Sequence, residues 1–238
     1  MPAILLPAAC LLASFAPAHA QTPRFGGEVA LSSQLVDQGI ALTADEPVLQ
    51  GAVSWTAPAG WSFGVAGGVE ARSPGTPVFT LARASRAWTP SADWLAQASL
   101  LYYDYRSSAG RATTPDRMHA NLYFTWRDTL TFGVSAIRPA GDHPRRVLGA
   151  ADAEIAWPLG RHFTLSAGAG VAQALVVRGR RYRYERVEGY RYGNLGLAWN
   201  GGPWRLEIDR TANTLPARDA YYGAGTPSDW VATLAWSF

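Results

Sequence analysis

Lysine is absent and cysteine nearly so: all 21 basic residues are arginine, and the one cysteine of the 238-residue chain is Cys10. Everything after residue 10 therefore folds without disulfides, and it can have no cysteine nucleophile and no cysteine-ligated metal. Beyond the first twenty residues there is no apolar run suited to a membrane helix, which needs about 20 predominantly apolar residues. The 16 prolines and 24 glycines, scattered throughout, argue against long helices of any kind. Charge is sparse and nearly balanced, 21 basic against 18 acidic residues for a net +3. That surplus is too mild to point to nucleic acid as a partner.

The first twenty residues form a distinct segment. Met1 to Ala20 contains no Asp, Glu or Arg, is apolar from Ile4 to Phe15, and ends Ala18-His19-Ala20, the small-x-small pattern of an export cleavage site. A membrane anchor is the rival reading, but the stretch is short and broken by Pro7 and Pro17. A lipoprotein role for Cys10 fits poorly with Pro7-Ala8-Ala9 before it. The expectation is a signal peptide over 1–20, cleaved after Ala20, and a single domain over 21–238, since no shift of composition marks an internal boundary.

From Gly26 onward large apolar side chains recur at every second position, in stretches of roughly ten residues bounded by Gly, Pro, Asp or Asn, which is a strand pattern. In 61–70, Trp61, Phe63, Val65 and Val69 share one face; Ser62, Gly64, Ala66, Gly68 and Glu70 share the other. In 117–127, Met118, Ala120, Leu122, Phe124 and Trp126 oppose His119, Asn121, Tyr123, Thr125 and Arg127. A soluble sandwich also alternates. Three features favour a membrane barrel instead: tryptophans near strand ends, a second face of small residues with a few charges, and connections that alternate long and short. The expected strands are 26–35, 47–55, 61–71, 78–88, 94–106, 117–127, 130–138, 146–157, 163–176, 189–199, 203–210 and 229–238. The fold class is thus all-β, a transmembrane antiparallel up-and-down barrel of about twelve strands, with ten to fourteen compatible with the pattern. With both termini in the periplasm, the long connections, Val36–Glu46 first among them, fall outside and the short ones inside.

The segment Trp230-Val-Ala-Thr-Leu-Ala-Trp-Ser-Phe238 resembles the terminal strand signal of outer-membrane barrels. More particular are Gly27-Glu-Val-Ala-Leu-Ser-Ser33, Gln38-Gly39-Ile40, Asp45-Glu-Pro-Val-Leu-Gln-Gly51 and Gly60-Trp-Ser-Phe-Gly-Val-Ala-Gly67, with a weaker echo at Leu101-Tyr-Tyr-Asp-Tyr105. Together they resemble the opening of the TorF family of porin-class proteins. Gln38 stands where that family tends to have Arg, and Leu35-Val36-Asp37 departs from its aromatic pattern. The resemblance implies a cell outer membrane barrel with porin activity. The barrel reading makes outer-membrane lipid a partner, and the guanidinium groups of 178–192 suit lipopolysaccharide. The likeness of the C-terminus to other outer-membrane barrels implies the barrel-assembly machinery, with Trp236 and Phe238 as its signal.

Candidate chemistry is thin. His119 and Asn121 share a face as they would in a strand-borne hydrolase, but no serine lies two residues from His119 and the pair faces the expected lumen. His143 and His162 are too dispersed for a metal site. Glu70, Asp152, Glu154, Glu207 and Asp209 project inward by parity, as do Arg127 and Arg205, so with His119 they are read as lumen-lining rather than catalytic. Gly168-Ala-Gly170 lacks the remainder of a phosphate loop. The Arg- and Tyr-rich segment 178–192 suits anionic headgroups or a hairpin continuing above the membrane. No catalytic residue, cofactor or metal is expected. The functional expectation is a narrow channel for a small solute. The alternative is a non-conducting barrel, acting as a scaffold or a lipid-facing enzyme.

Overall fold

A computed structural model describes residues 23–43, 46–72, 77–105, 116–140, 146–178, 184–215 and 229–238; side chains of 176–186 are not described. The expected signal peptide with Cys10, and His143, lie outside the described residues.

Alternation becomes ladder throughout. The chain forms β1 (Arg24–Ser32), β2 (Val36–Asp37), β3 (Ile40–Ala41), β4 (Val48–Thr56), β5 (Trp61–Glu70), β6 (Pro77–Ser91), β7 (Trp94–Tyr105), β8 (Arg117–Trp126), β9 (Leu130–Pro139), β10 (Leu148–Pro158), β11 (Phe163–Arg178), β12 (Tyr184–Gly201), β13 (Trp204–Asn213) and β14 (Trp230–Ser237). Twelve of these close into one antiparallel barrel in the order β1-β14-β13-β12-β11-β10-β9-β8-β7-β6-β5-β4. β2 and β3 form a separate two-stranded hairpin. All twelve expected strands are present, and each pairs with its neighbour in chain order, across the short turns and the long connections alike.

Closure runs through β1 and β14, with Val29 opposite Trp236 and Leu31 opposite Leu234. Past the ladder, Gly27 and Phe238 exchange both backbone hydrogen bonds at 3.0 Å. A closed barrel leaves no edge of unpaired N–H and C=O groups, the condition for strands to stand in hydrocarbon.

The outer face is the apolar one. Val53, Val65, Val134, Val171 and Leu195 are each more than half exposed. Such a band has no solvent to suit it except lipid. The tryptophan belt is one-sided. Trp55, Trp61, Trp88, Trp94, Trp126, Trp157, Trp199, Trp204 and Trp236 all stand at the short-turn end of their strands, and Trp230 alone marks the other end. Guanidinium groups cover two of these rings, Arg86 over Trp61 at 5.5 Å and Arg127 over Trp126 at 4.9 Å.

Two sequence expectations need correction. Arg127, expected to line the lumen by parity, is not in a strand. β8 stops at Trp126, and Arg127 and Asp128 take left-handed φ of 48° and 54° in a tight turn, with Thr129 N–H bonded to Trp126 C=O at 3.0 Å. The turn resets the alternation, so Arg127 points into solvent and pairs with Asp93 at 2.9 Å. The connection Val36–Glu46 does start at the long-loop end, but it is no plain loop: it contains β2 and β3, and of its described residues Val36, Gly39, Ala41 and Thr43 are buried and the others partly so. The expectation of an extended hairpin over the Arg- and Tyr-rich segment holds as far as the ladder is described, to Arg178 opposite Tyr184.

Candidate functional site

Among the described residues, polar and charged side chains converge on the inner face of the barrel. Strand registers stack them in layers, and glycine makes room for those that lie flat on the wall. A Cβ at Gly133 would run into the Asp152 carboxylate, one at Gly170 into the Tyr192 ring, and one at Gly196 into both Asp209 and Ser166 Oγ. The small residues of this face are therefore pockets for the neighbouring strand's polar groups.

The sequence-expected residues distribute as follows. Glu207 and Asp209 alternate on β13 with outward Leu206 and Ile208 and are buried, 7% and 5% exposed. Arg205 Nη2 donates to Glu207 Oε2 at 2.5 Å. Asp152 and Glu154 stand half-buried on β10, opposite Gly170 and Gly168 of β11. β11 and β12 separate this pair from β13, so the two carboxylate pairs share one side of the lumen without being neighbours in the sheet. Glu70 is at the far end of β5, beside the start of β4. His119 is buried on β8 with its ring 5.0 Å from that of Tyr103. Asn121, one layer below, donates to Ser99 Oγ at 3.5 Å. His119 and Asn121 face inward, away from lipid, and the serine bonded to the pair, Ser99, meets Asn121 rather than His119. His162 is in the turn between β10 and β11, its Nδ1 2.8 Å from Asn200 C=O. Among the described residues no cluster of three or more His, Cys, Asp or Glu is placed to hold a metal ion.

Sequence reasoning missed the most telling part. The segment after β1 turns back through β2 and β3 with Val36 opposite Ala41 and Asp37 opposite Ile40. Its two-residue tip, Gln38-Gly39, has φ of 49° and 74°. Two positive φ values are what a type I′ hairpin turn requires. Inside the hairpin Leu42 N–H bonds Leu35 C=O at 2.8 Å and Leu35 N–H bonds Thr43 Oγ1 at 3.0 Å.

This hairpin enters the barrel from its long-loop end and touches walls on both sides. On one side Leu35 joins a buried cluster with Val48, Phe79, Leu81, Leu101 and Tyr103, against β6 and β7. Asp37 Oδ2 accepts from Arg117 Nη2 at 2.5 Å on β8, four strands round from β4. Arg117 also donates to Tyr105 Oη at 2.8 Å and lies over the Tyr103 and Tyr105 rings. On the other side the Tyr190 hydroxyl donates to Gln38 C=O at 3.1 Å, on β12, three strands round from β1. Asn213 Nδ2 donates to Gly39 C=O on β13. Ile40 packs against the cluster of Ala150, Ala172, Tyr190 and Leu215.

A Cβ at Gly39 would meet the Tyr192 and Asn213 side chains, so glycine serves there both the turn and the close approach. Burial of Leu35 at 4% and Val36 at 5% exposure marks the docked state as a packed one; each such side chain contributes about 1.5–3 kcal/mol. Two further charges stand in the interior, Glu28 on β1 beside Ser237 of β14 and Arg83 on β6. Both were readable from parity, Glu28 because it alternates with Val29 and Arg83 because it alternates with outward Arg86.

No family model matches the chain, and no curated protein matches it either. Solved structures do. A NanC porin aligns over 89% of this chain and 98% of its own, with a TM-score of 0.55 and 14% identity. A KdgM porin aligns over 90% and 98%, with a TM-score of 0.53 and 8% identity, and the KdgM porin in complex with disordered oligogalacturonate aligns with a TM-score of 0.53 and 9% identity. Each alignment covers nearly the whole of the other protein, so the likeness is one of complete barrels, and at this identity what they share is the fold, a closed antiparallel β-barrel.

Proposed function

We propose that this protein is an outer-membrane channel of the porin class, passing small polar solutes through a narrow lumen. One observation carries the reading: a closed barrel has its apolar face outward and its polar and charged face inward, around buried polar atoms that the protein does not satisfy. Gln50 Oε1, His119 Nε2, Asn121 Oδ1 and Asp209 Oδ1 have no hydrogen-bond partner among the described residues. Buried polar groups without a protein partner call for water, and a wet interior is what a solute path needs. The porin barrels named above support the same reading at the level of fold, and the resemblance of 27–70 to the TorF family supports it at the level of sequence. The reading includes export with cleavage after Ala20 and residues 21–238 as the barrel. Glu70, His119, Asp152, Glu154, Arg205, Glu207 and Asp209 are lumen residues in it, and none is given a catalytic role. Trp236 and Phe238 are its assembly signal, and lipopolysaccharide is its outer lipid contact.

The test is planar-bilayer recording of the purified, heat-modifiable barrel. Discrete conductance steps are expected in potassium chloride, and a protein that inserts yet gives no steps at any salt concentration would overturn the channel. A non-conducting barrel is the second reading, and a specific observation favours it: the hairpin of β2 and β3 lies across the lumen, which in a barrel of this size is already narrow.

A further inference from the structure

We propose that the hairpin Gln34–Thr43 is the constriction of the channel, held across the lumen by the Asp37–Arg117 ion pair, and that it sets the size of solute that passes. The inference rests on the channel reading and deepens it. Three independent features of the hairpin point the same way.

The first is reach. The hairpin springs from the seam between β1 and β4, yet its polar contacts are with β8 on one side and with β12 and β13 on the other. A loop resting on the rim would touch its own neighbours; this one bridges the lumen. The second is construction. Its turn is a tight two-residue one, with Gly39 placed where no larger residue fits against Tyr192 and Asn213. A segment shaped to its seat in this way takes up a defined volume of the mouth, which a loose loop would not.

The third is the nature of the hold. Apolar contacts of Leu35 and Ile40 seat the two flanks and Tyr190 and Asn213 bond the tip's backbone, but the anchor on the β8 wall is one carboxylate on one guanidinium. Both partners are largely withdrawn from water, with side-chain exposures of 13% for Asp37 and 14% for Arg117. An ion pair in such a place is lost at considerable cost when one partner is removed, because the other charge is left buried alone. Neutralising Asp37 therefore loosens the tip, and exchanging the two charges re-forms the pair in reverse.

Solute size is the quantity to read. Four proteins are compared by single-channel conductance and by swelling of proteoliposomes in neutral sugars of graded size: the wild type, Asp37→Asn, the exchange Asp37→Arg with Arg117→Asp, and a variant in which residues 34–43 are replaced by a short Gly-Ser connection. Heat-modifiability on gels confirms that each is folded. Removal of the hairpin should raise conductance severalfold and admit larger sugars than the wild type. Asp37→Asn should give an intermediate or flickering conductance, and the exchange should return it towards wild type. A silent wild type beside a conducting hairpin deletion overturns the inference together with the channel reading of the intact protein, the hairpin then being a plug that passes nothing. A folded deletion variant with wild-type conductance and wild-type sugar cut-off overturns the constriction while leaving the channel. Silence of every folded variant, the deletion included, removes the channel reading itself and this inference with it.

Discussion

Glycine and a terminal aromatic show how one residue decides a local outcome. Gly27 faces outward on β1, and its missing side chain is the space taken by the Phe238 ring, since a Cβ there would collide with it. The same two residues close the barrel through paired backbone hydrogen bonds. Gly27→Val should displace the ring and cost about 1–3 kcal/mol as an overpacking change. The measurement is the urea midpoint of the refolded barrel in detergent, and an unchanged midpoint would contradict the packing. Because the two sites touch, Gly27→Val and Phe238→Ala should combine less than additively. Deleting Phe238 should reduce the amount of heat-modifiable, membrane-embedded protein while export continues. Normal levels would show that this end of the chain neither closes nor targets the barrel.

Among the elements, the strands carry the membrane contact and the hairpins set its limits. Nine tryptophans at the short-turn end and one at the other give the barrel a single strong girdle. Indole rings settle at the headgroup level, so one leaflet boundary is fixed tightly, with Arg86 and Arg127 reaching past it over their rings. Tryptophan fluorescence should accordingly report almost entirely on one leaflet. In proteoliposomes of uniform orientation, a headgroup-attached nitroxide confined to the leaflet of the short turns should quench most of the emission. The same quencher in the opposite leaflet should act mainly on Trp230. Equal quenching from both sides would mean that the rings do not form one belt.

Charge sorts itself over the whole molecule in a way that no single strand reveals. Among the described residues, Glu28, Asp152, Glu154, Glu207 and Asp209 face the lumen from the side formed by β10, β13 and β1, where Arg205 is already paired with Glu207. Arg117 is likewise engaged by Asp37. A lumen with an acidic side concentrates cations, and in a narrow pore that excess governs which ions cross. If the barrel conducts, the reversal potential across a potassium chloride gradient should show preference for the cation. The variant Glu207→Gln with Asp209→Asn should diminish the preference. Anion preference in the wild type would exclude this assignment of the lumen charge.

Alternation marked out the strands and which side chains share a face, Asp152 with Glu154 and Glu207 with Asp209, because a two-residue period and the sign of hydropathy are properties of the chain itself. It left the strand count open between ten and fourteen, and the closed barrel fixed it at twelve. In the expected strand 78–88 the pattern is blurred by Arg83 and Arg86 on opposite faces, and the barrel accommodates both, one guanidinium inward and one over Trp61. Arg127 was misread because parity holds only while a strand continues, and the left-handed pair Arg127-Asp128 ends it one residue earlier than the pattern suggests. The hairpin of β2 and β3 was invisible. Its docking depends on partners up to 174 residues away, Asn213 to Gly39 among them, and only the closed barrel brings those partners to the same mouth. Sequence order thus dictated a barrel, whereas what stands inside it was decided by contacts across the lumen.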